Sequence, residues 1–386
     1  MAVVLTFASV PNIGFSQQIS NSSGPSSGSS SGNSSGNSSG SSSGEIERPA
    51  VSADLQMIYG KTESASTIAD YSSIFDFCRN VVGDSTRMKE DRLYAKTLMS
   101  WAANRRGEAR SDRAGVFVRE QQLAKAEEMD GLAKKDFESS IQLDPTRWRA
   151  HHNIAIIRAL QGNNREALES FETVIRLNPD FADSYFNRGE IYFRTNQFQM
   201  AIADQTKVIA LRAEDSAAYS ARAHSLFAMG QNEESLSDYA KAMELSPDSA
   251  DAVTEYADTC QALGKWKEAA TAYQRAMKLD GQNARTFQNA AWMMATCPED
   301  FYRNGGSALE TAQKAVQLAS GQASVHTLDV LAAAQAAAGD FVAAEKTIAT
   351  ALRSTTDPAL RSELQMRGRQ YQRKRPYLQP SLNKLK

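Results

Sequence analysis

Between residues 143 and 283, small, large and helix-breaking positions recur at a fixed interval. Ala167, Ala201, Ser235 and Ala269 are each 34 residues apart, as are Gly162, Asn196, Gly230 and Gly264, and as are Phe171, Gln205, Tyr239 and Tyr273. Leu-x-Pro tripeptides end at Pro145, Pro179 and Pro247, one and two such intervals apart. Each class has a mechanical role. The Gly or Asn falls between two helical patterns, where a left-handed residue ends the first helix at little cost. The small residue lets the second helix approach its neighbour closely, and the large one four positions later fills the gap on the same helix face. The proline stops the second helix and sets the turn into the next pair. One pair cannot bury its apolar stripe alone, so the pattern predicts all-α helix-turn-helix pairs stacked into a solenoid.

Residues 148–283 thus resemble four consecutive tetratricopeptide repeats, starting at Trp148, Ala182, Ser216 and Ala250. The resemblance implies a right-handed superhelix with a concave groove that binds a protein segment. Two further repeats extend it over 284–355. In the first, Ala291 and Ala308 are 17 apart where Ala257 and Ala269 are 12 apart. The extra residues fall within 297–306, where a proline and paired glycines predict an exposed loop. The second starts at Val325, with Gly339 as its turn and Ala344 as its small residue. Upstream, Ala133, Phe137 and Leu143 match a second helix, and 104–108 echoes 187–190. Residues 89–147 are therefore an atypical first repeat with lengthened helices, and 66–82 a helix capping the array. Segments 289–298 and 328–334 resemble a block near the end of bacterial exported tetratricopeptide proteins, which implies ancestry and no activity.

The first 44 residues carry no charged side chain. Met1–Val10 is apolar and too short to span a bilayer, so 1–16 reads as a signal-peptide core lacking its basic leading segment. Export to the periplasm is the expectation, with a cytoplasmic chain as the alternative. Glycine at every fourth position from Gly24 to Gly44, with serine between, makes 17–65 a Ser/Gly-rich disordered linker. Gly-x-Ser-x-Gly matches inside it have no strand or helix to make them a nucleophile elbow.

A net charge of −2 gives no global attraction to nucleic acid or anionic lipid. Three scattered cysteines, Cys78, Cys260 and Cys297, indicate neither a disulfide framework nor a zinc site. Cys260 reads as a small core residue, and Cys297, in the insertion, as the accessible one. The four histidines lack metal-ligand spacing, and His151 reads as a core residue. With no phosphate-cradling glycine loop or dinucleotide fingerprint either, the chain reads as non-catalytic and without a cofactor.

Positions 2, 5, 9 and 12 of each first helix lie at three- and four-residue steps and so share one face. Registered this way, Arg149 and His152 face the groove in the first repeat, and Phe186, Glu190 and Phe193 in the second. His224 and Phe227 follow, then Asp258 and Gln261, then Trp292. Aromatic anchors rimmed by charge suit a peptide-binding surface, although some of these rings could instead pack on the neighbouring first helix. The carboxylate-clamp pattern that grips chaperone tails is met only by Asn187. Residues 356–386 form a basic helix and tail, with eight Lys or Arg against one Glu from Arg361 onward. The reading that results is a scaffold for a protein or peptide, with no transmembrane segment. Its rivals are a homo-oligomer, in which the basic helix docks on the acidic part of another copy's groove, and an accessory subunit of an envelope enzyme complex.

Overall fold

A computed structural model describes residues 51–319 and 323–380. The signal-peptide reading of 1–16, the Ser/Gly-rich stretch up to residue 50 and the last six residues lie outside that range. Among the described residues the chain is all-α, with seventeen helices and no strand. It divides into two compact units, one ending at Ile191 and the other beginning at Tyr192.

The first unit holds α1 (Ala53–Thr62), α2 (Ile68–Gly83), α3 (Lys89–Arg119), α4 (Leu123–Leu143), α5 (Trp148–Leu160), α6 (Asn164–Leu177) and most of α7 (Ala182–Arg194). α1 corrects the linker boundary at residue 65. Its Leu55 and Ile58, three positions apart, are buried among Ile74, Cys78 and Leu98. Arg87 donates to Asp54 Oδ1 at 3.1 Å, and the Ser52 N–H to Asp91 Oδ1 at 3.0 Å. The serine-glycine bias ends at Gly44, and apolar side chains at helical spacing take over soon after it. α3 and α4, 31 and 21 residues long, pack so tightly that a methyl group on Gly107 would come within 2.5 Å of the Phe137 ring. Between them Arg106 and Arg110 hold the buried Asp136, and Ser100 and Ser140 exchange hydroxyl-to-carbonyl bonds of 2.9 Å.

The second unit continues through α8 (Phe198–Leu211), α9 (Ser216–Ala228), α10 (Asn232–Leu245), α11 (Ala250–Ala262), α12 (Trp266–Leu279), α13 (Ala284–Thr296), α14 (Gly305–Leu318), α15 (Val325–Ala337), α16 (Phe341–Ser354) and α17 (Pro358–Gln372). Helix pairs are closed by one recurring turn in both units. Gly162, Asn196, Gly230, Gly264 and Gly339 all have positive φ, from 59° to 88°. The residue after each returns its N–H to the carbonyl five positions back, at 2.8–2.9 Å, as in Lys265 to Cys260 and Asp340 to Gln335. This Schellman geometry satisfies carbonyls that the helix end leaves orphaned. Gln121 and Lys374 make the same turn without the residue type that announces it.

The insertion 297–306 is only partly a loop. Gly305 and Gly306 open α14, and Gly305 lies against the backbone of α15. A Cβ there would clash with the Ala337 carbonyl group, whereas one on Gly306 would find nothing nearer than an Asn304 side-chain oxygen at 3.6 Å. Cys297 is fully buried beside Ala290 and Met293, contrary to the accessible position read from the sequence. It ends α13 with its N–H on the Met293 carbonyl, so the chain leaves the helix only after its side chain has entered the core.

Gly305→Ala should therefore destabilise the protein by about 1–3 kcal/mol through overpacking. Gly306→Ala should be neutral or stabilising, because alanine favours a helix over glycine by about 1 kcal/mol. Urea midpoints of the two variants test this, and equal midpoints would refute the close contact.

Candidate functional site

In the first unit the two adjacent histidines exchange their expected places. His152, assigned to the groove, is 7% exposed. Its Nδ1 lies 3.0 Å from Ser184 Oγ, and its ring meets Phe181 and Phe171 edge-on at 4.9 and 5.6 Å. Burial pulls its pKa down to about 4. His151, assigned to the core, is half-buried, and its Nε2 reaches the Pro145 carbonyl at 2.9 Å. Phe181 and Ser184 offer His152 an aromatic wall and a polar partner together, which accounts for its burial. Arg149 is exposed with its guanidinium 4.5 Å above the Trp148 ring. Asn187 is buried, and Phe186 and Glu190 are half-buried.

In the second unit four of the expected groove positions, Phe193, His224, Asp258 and Gln261, fall in one neighbourhood. Phe193 is half-buried, 5.6 Å from the Phe198 ring and 6.1 Å from His224. Phe227 is half-buried as well. His224 stands edge-on to Tyr239 at 5.4 Å, with Nε2 3.6 Å from Glu255 Oε1. Its pKa is lowered by burial, which outweighs the opposing pull of Glu255. Asp258, expected to line the groove as an acidic group, is 7% exposed and enclosed by donors. It accepts from the Tyr273 hydroxyl at 2.6 Å and from Asn289 Nδ2 and Arg285 Nη2, each at 2.9 Å. Burial still raises its pKa against these partners. Gln261, also buried, lies with Oε1 2.9 Å from the same hydroxyl.

Trp292 stands apart from this cluster and is covered. The Arg367 guanidinium lies 5.5 Å from its ring and the Tyr377 ring 5.8 Å. Arg367 itself is 5% exposed and paired with Asp329, so α17 is not a freely solvated basic helix. Glu255 and Asn289 were not singled out in the sequence, Tyr273 was read there only as a gap-filling residue of the repeat, and Arg367 and Tyr377 only as part of the basic C-terminal helix and tail. Asn289 sits at position 6 of its repeat, as Asn187 does, and that match was the available signal.

Among the described residues no group of three or more His, Cys, Asp or Glu side chains is placed to hold a metal ion, and no helix is long and apolar enough to cross a membrane. All three thiols are buried, and burial raises their pKa values, to about 12 for Cys78 and about 11 for Cys260.

Family descriptions of the tetratricopeptide repeat match residues 182–215 and 226–290, and a TPR-repeat description matches 157–196. No curated protein sequence is similar to the chain. Among solved structures, a tetratricopeptide repeat protein from Parabacteroides merdae is similar over 67% of this chain and 96% of its own, at 15% identity and a TM-score of 0.49. YrrB, described as a TPR protein with an unusual peptide-binding site, is similar over 50% of this chain and 95% of its own, at 19% identity and a TM-score of 0.40. Yeast Tom70 is similar over 86% of this chain and 66% of its own, at 14% identity and a TM-score of 0.44.

His152 makes stability depend on acid with a defined sign. Its pKa falls from an ordinary 6.5 to about 4 on folding, so between these values the unfolded chain binds more protons. Stability is then full above about pH 6.5 and declines towards pH 4, by on the order of 3 kcal/mol from this residue. His152→Gln should remove most of that decline, measured as the difference in urea stability between pH 7 and pH 4.5. An undiminished decline would mean that His152 is solvated.

Proposed function

We propose, on the premise that this chain is a tetratricopeptide-repeat protein, that it is a non-catalytic scaffold binding an extended protein segment along its first helices. One observation carries the reading. Phe186, Phe193, Phe227 and Trp292 recur on these helices and remain half-buried, while the large residues of the second helices, Phe171, Tyr239 and Tyr273, are fully enclosed. Half-buried rings held by their neighbours give a partner rigid apolar area at little entropic cost. His224 lies beside Phe193 with Glu255 next to it and Arg285 in the same charge network, a polar set that would fix the segment's register more than its affinity. The buried Asp258 supports this set indirectly, by holding Arg285 in place. Self-assembly through the basic helix is less favoured, because Arg367 already has its carboxylate within the same chain.

Panning a random peptide library on the full chain should select a family of related peptides. The double variant Phe193→Ala, Phe227→Ala should bind them at least tenfold more weakly, about 1.4 kcal/mol, with unchanged circular dichroism. Selection of no common peptide, or equal binding by the folded variant, would contradict the proposal.

A further inference from the structure

The insertion in the fifth repeat and the end of the chain answer each other. In the other pairs the left-handed turn returns N–H groups to the last carbonyls of the first helix. Where 297–306 is inserted that turn is absent, and the end of α13 is satisfied from several sources. The Met293 carbonyl takes the Cys297 N–H and the Met294 carbonyl takes the Asn304 N–H. Arg303 binds the Cys297 carbonyl. The Thr296 carbonyl takes the N–H of Gln379, 2.8 Å away and from the far end of the chain. A helix C-terminus otherwise leaves such a carbonyl to solvent.

The segment that supplies this N–H is built to reach it. Lys374 adopts φ 56° and stops α17, with Arg375 returning its N–H to Gln370. Pro376 then excludes further helix. Residues 375–380 run on without helix, and Tyr377 lies over Trp292, ring centres 5.8 Å apart and planes tilted by 36°. The Arg367 guanidinium lies within 5.4 Å of the Tyr377 ring and 5.5 Å of the Trp292 ring. It is held there by Asp329, with Nε 3.0 Å from Oδ1 and Nη2 2.8 Å from Oδ2. One stacked aromatic and one main-chain N–H given to a helix carbonyl are the contacts of an extended peptide ligand.

We propose that residues 375–380 are a ligand carried in cis, which occupies a binding subsite made by Trp292, the Thr296 carbonyl and the Arg367–Asp329 pair. The subsite takes an extended segment that presents an aromatic ring and, two residues later, a main-chain N–H. A partner segment reaches it only when the arm leaves. This rests on reading the first-helix face as a binding surface, but it concerns a different part of that face from Phe193 and Phe227.

The test uses full-length protein and a fluorescent peptide of residues 373–380, Arg-Lys-Arg-Pro-Tyr-Leu-Gln-Pro. Wild type should bind it at least tenfold more weakly than the double variant Tyr377→Ala, Gln379→Pro, whose arm lacks both the ring and the N–H. Adding Trp292→Phe, or Trp292→Ala where the fold tolerates it, should weaken binding to the opened variant at least tenfold. In wild type the Gln379 amide should exchange with deuterium at least tenfold more slowly than in the Trp292→Phe variant. Equal peptide binding by wild type and the opened variant, no binding by either, or random-coil exchange at Gln379 in wild type would each overturn the proposal. None of these outcomes depends on whether library peptides bind at Phe193 and Phe227, so the two readings fail separately.

Discussion

Close approach of the two helices in each pair is the constraint on which the rest of the structure depends. It is set by side chains no larger than alanine or serine at facing positions. Ala155 meets Ala167 in one cluster and Ala257 meets Ala269 in another. Ser235 meets Ala223 with its hydroxyl 3.0 Å from the alanine carbonyl, and Gly107 lies beneath the Phe137 ring. Backbones this close leave a short span for the connection, which a single left-handed residue bridges while satisfying the helix-end carbonyls. Where the connection is longer, after α13, those carbonyls must be satisfied individually.

Contacts lined with alanine bury little apolar area per residue, and the interior accommodates polar side chains in compensation. Arg106 and Arg110 on Asp136, Arg222 on Asp238 and Arg367 on Asp329 are well-enclosed pairs. Thr254 and Thr286 share a buried hydroxyl contact of 2.7 Å. Removing one member of such a pair leaves a buried charge unmatched, at a cost of about 3–5 kcal/mol. These pairs join neighbouring helices at specific heights, so they set register more than they add net stability.

The chemistry carried by the first helices varies along the chain. In the first unit His152 turns inward, and the exposed group is Arg149 on Trp148. Around α9 and α11 the face carries half-buried aromatics beside a charged network neutralised from within. At α13 it carries Trp292 under the arm.

The repeat period, the turn glycines, the enclosed positions of the second helices and the all-α class were readable from the sequence alone. They depend on local rules, a helix stop or a size limit, that repeat often enough to average out single exceptions such as Gln205. Only the tertiary structure decided which of the adjacent side chains His151 and His152 is buried, that Cys297 is enclosed, that Asp258 is ringed by donors, and that α1 belongs to the folded chain. For the side chains of the first helices the deciding partner lies outside the helix: Phe181 and Ser184 for His152, and Arg285 and Asn289 for Asp258. A helix face can be assigned from periodicity to within one residue, about 100° of rotation, and that one residue separates core from surface.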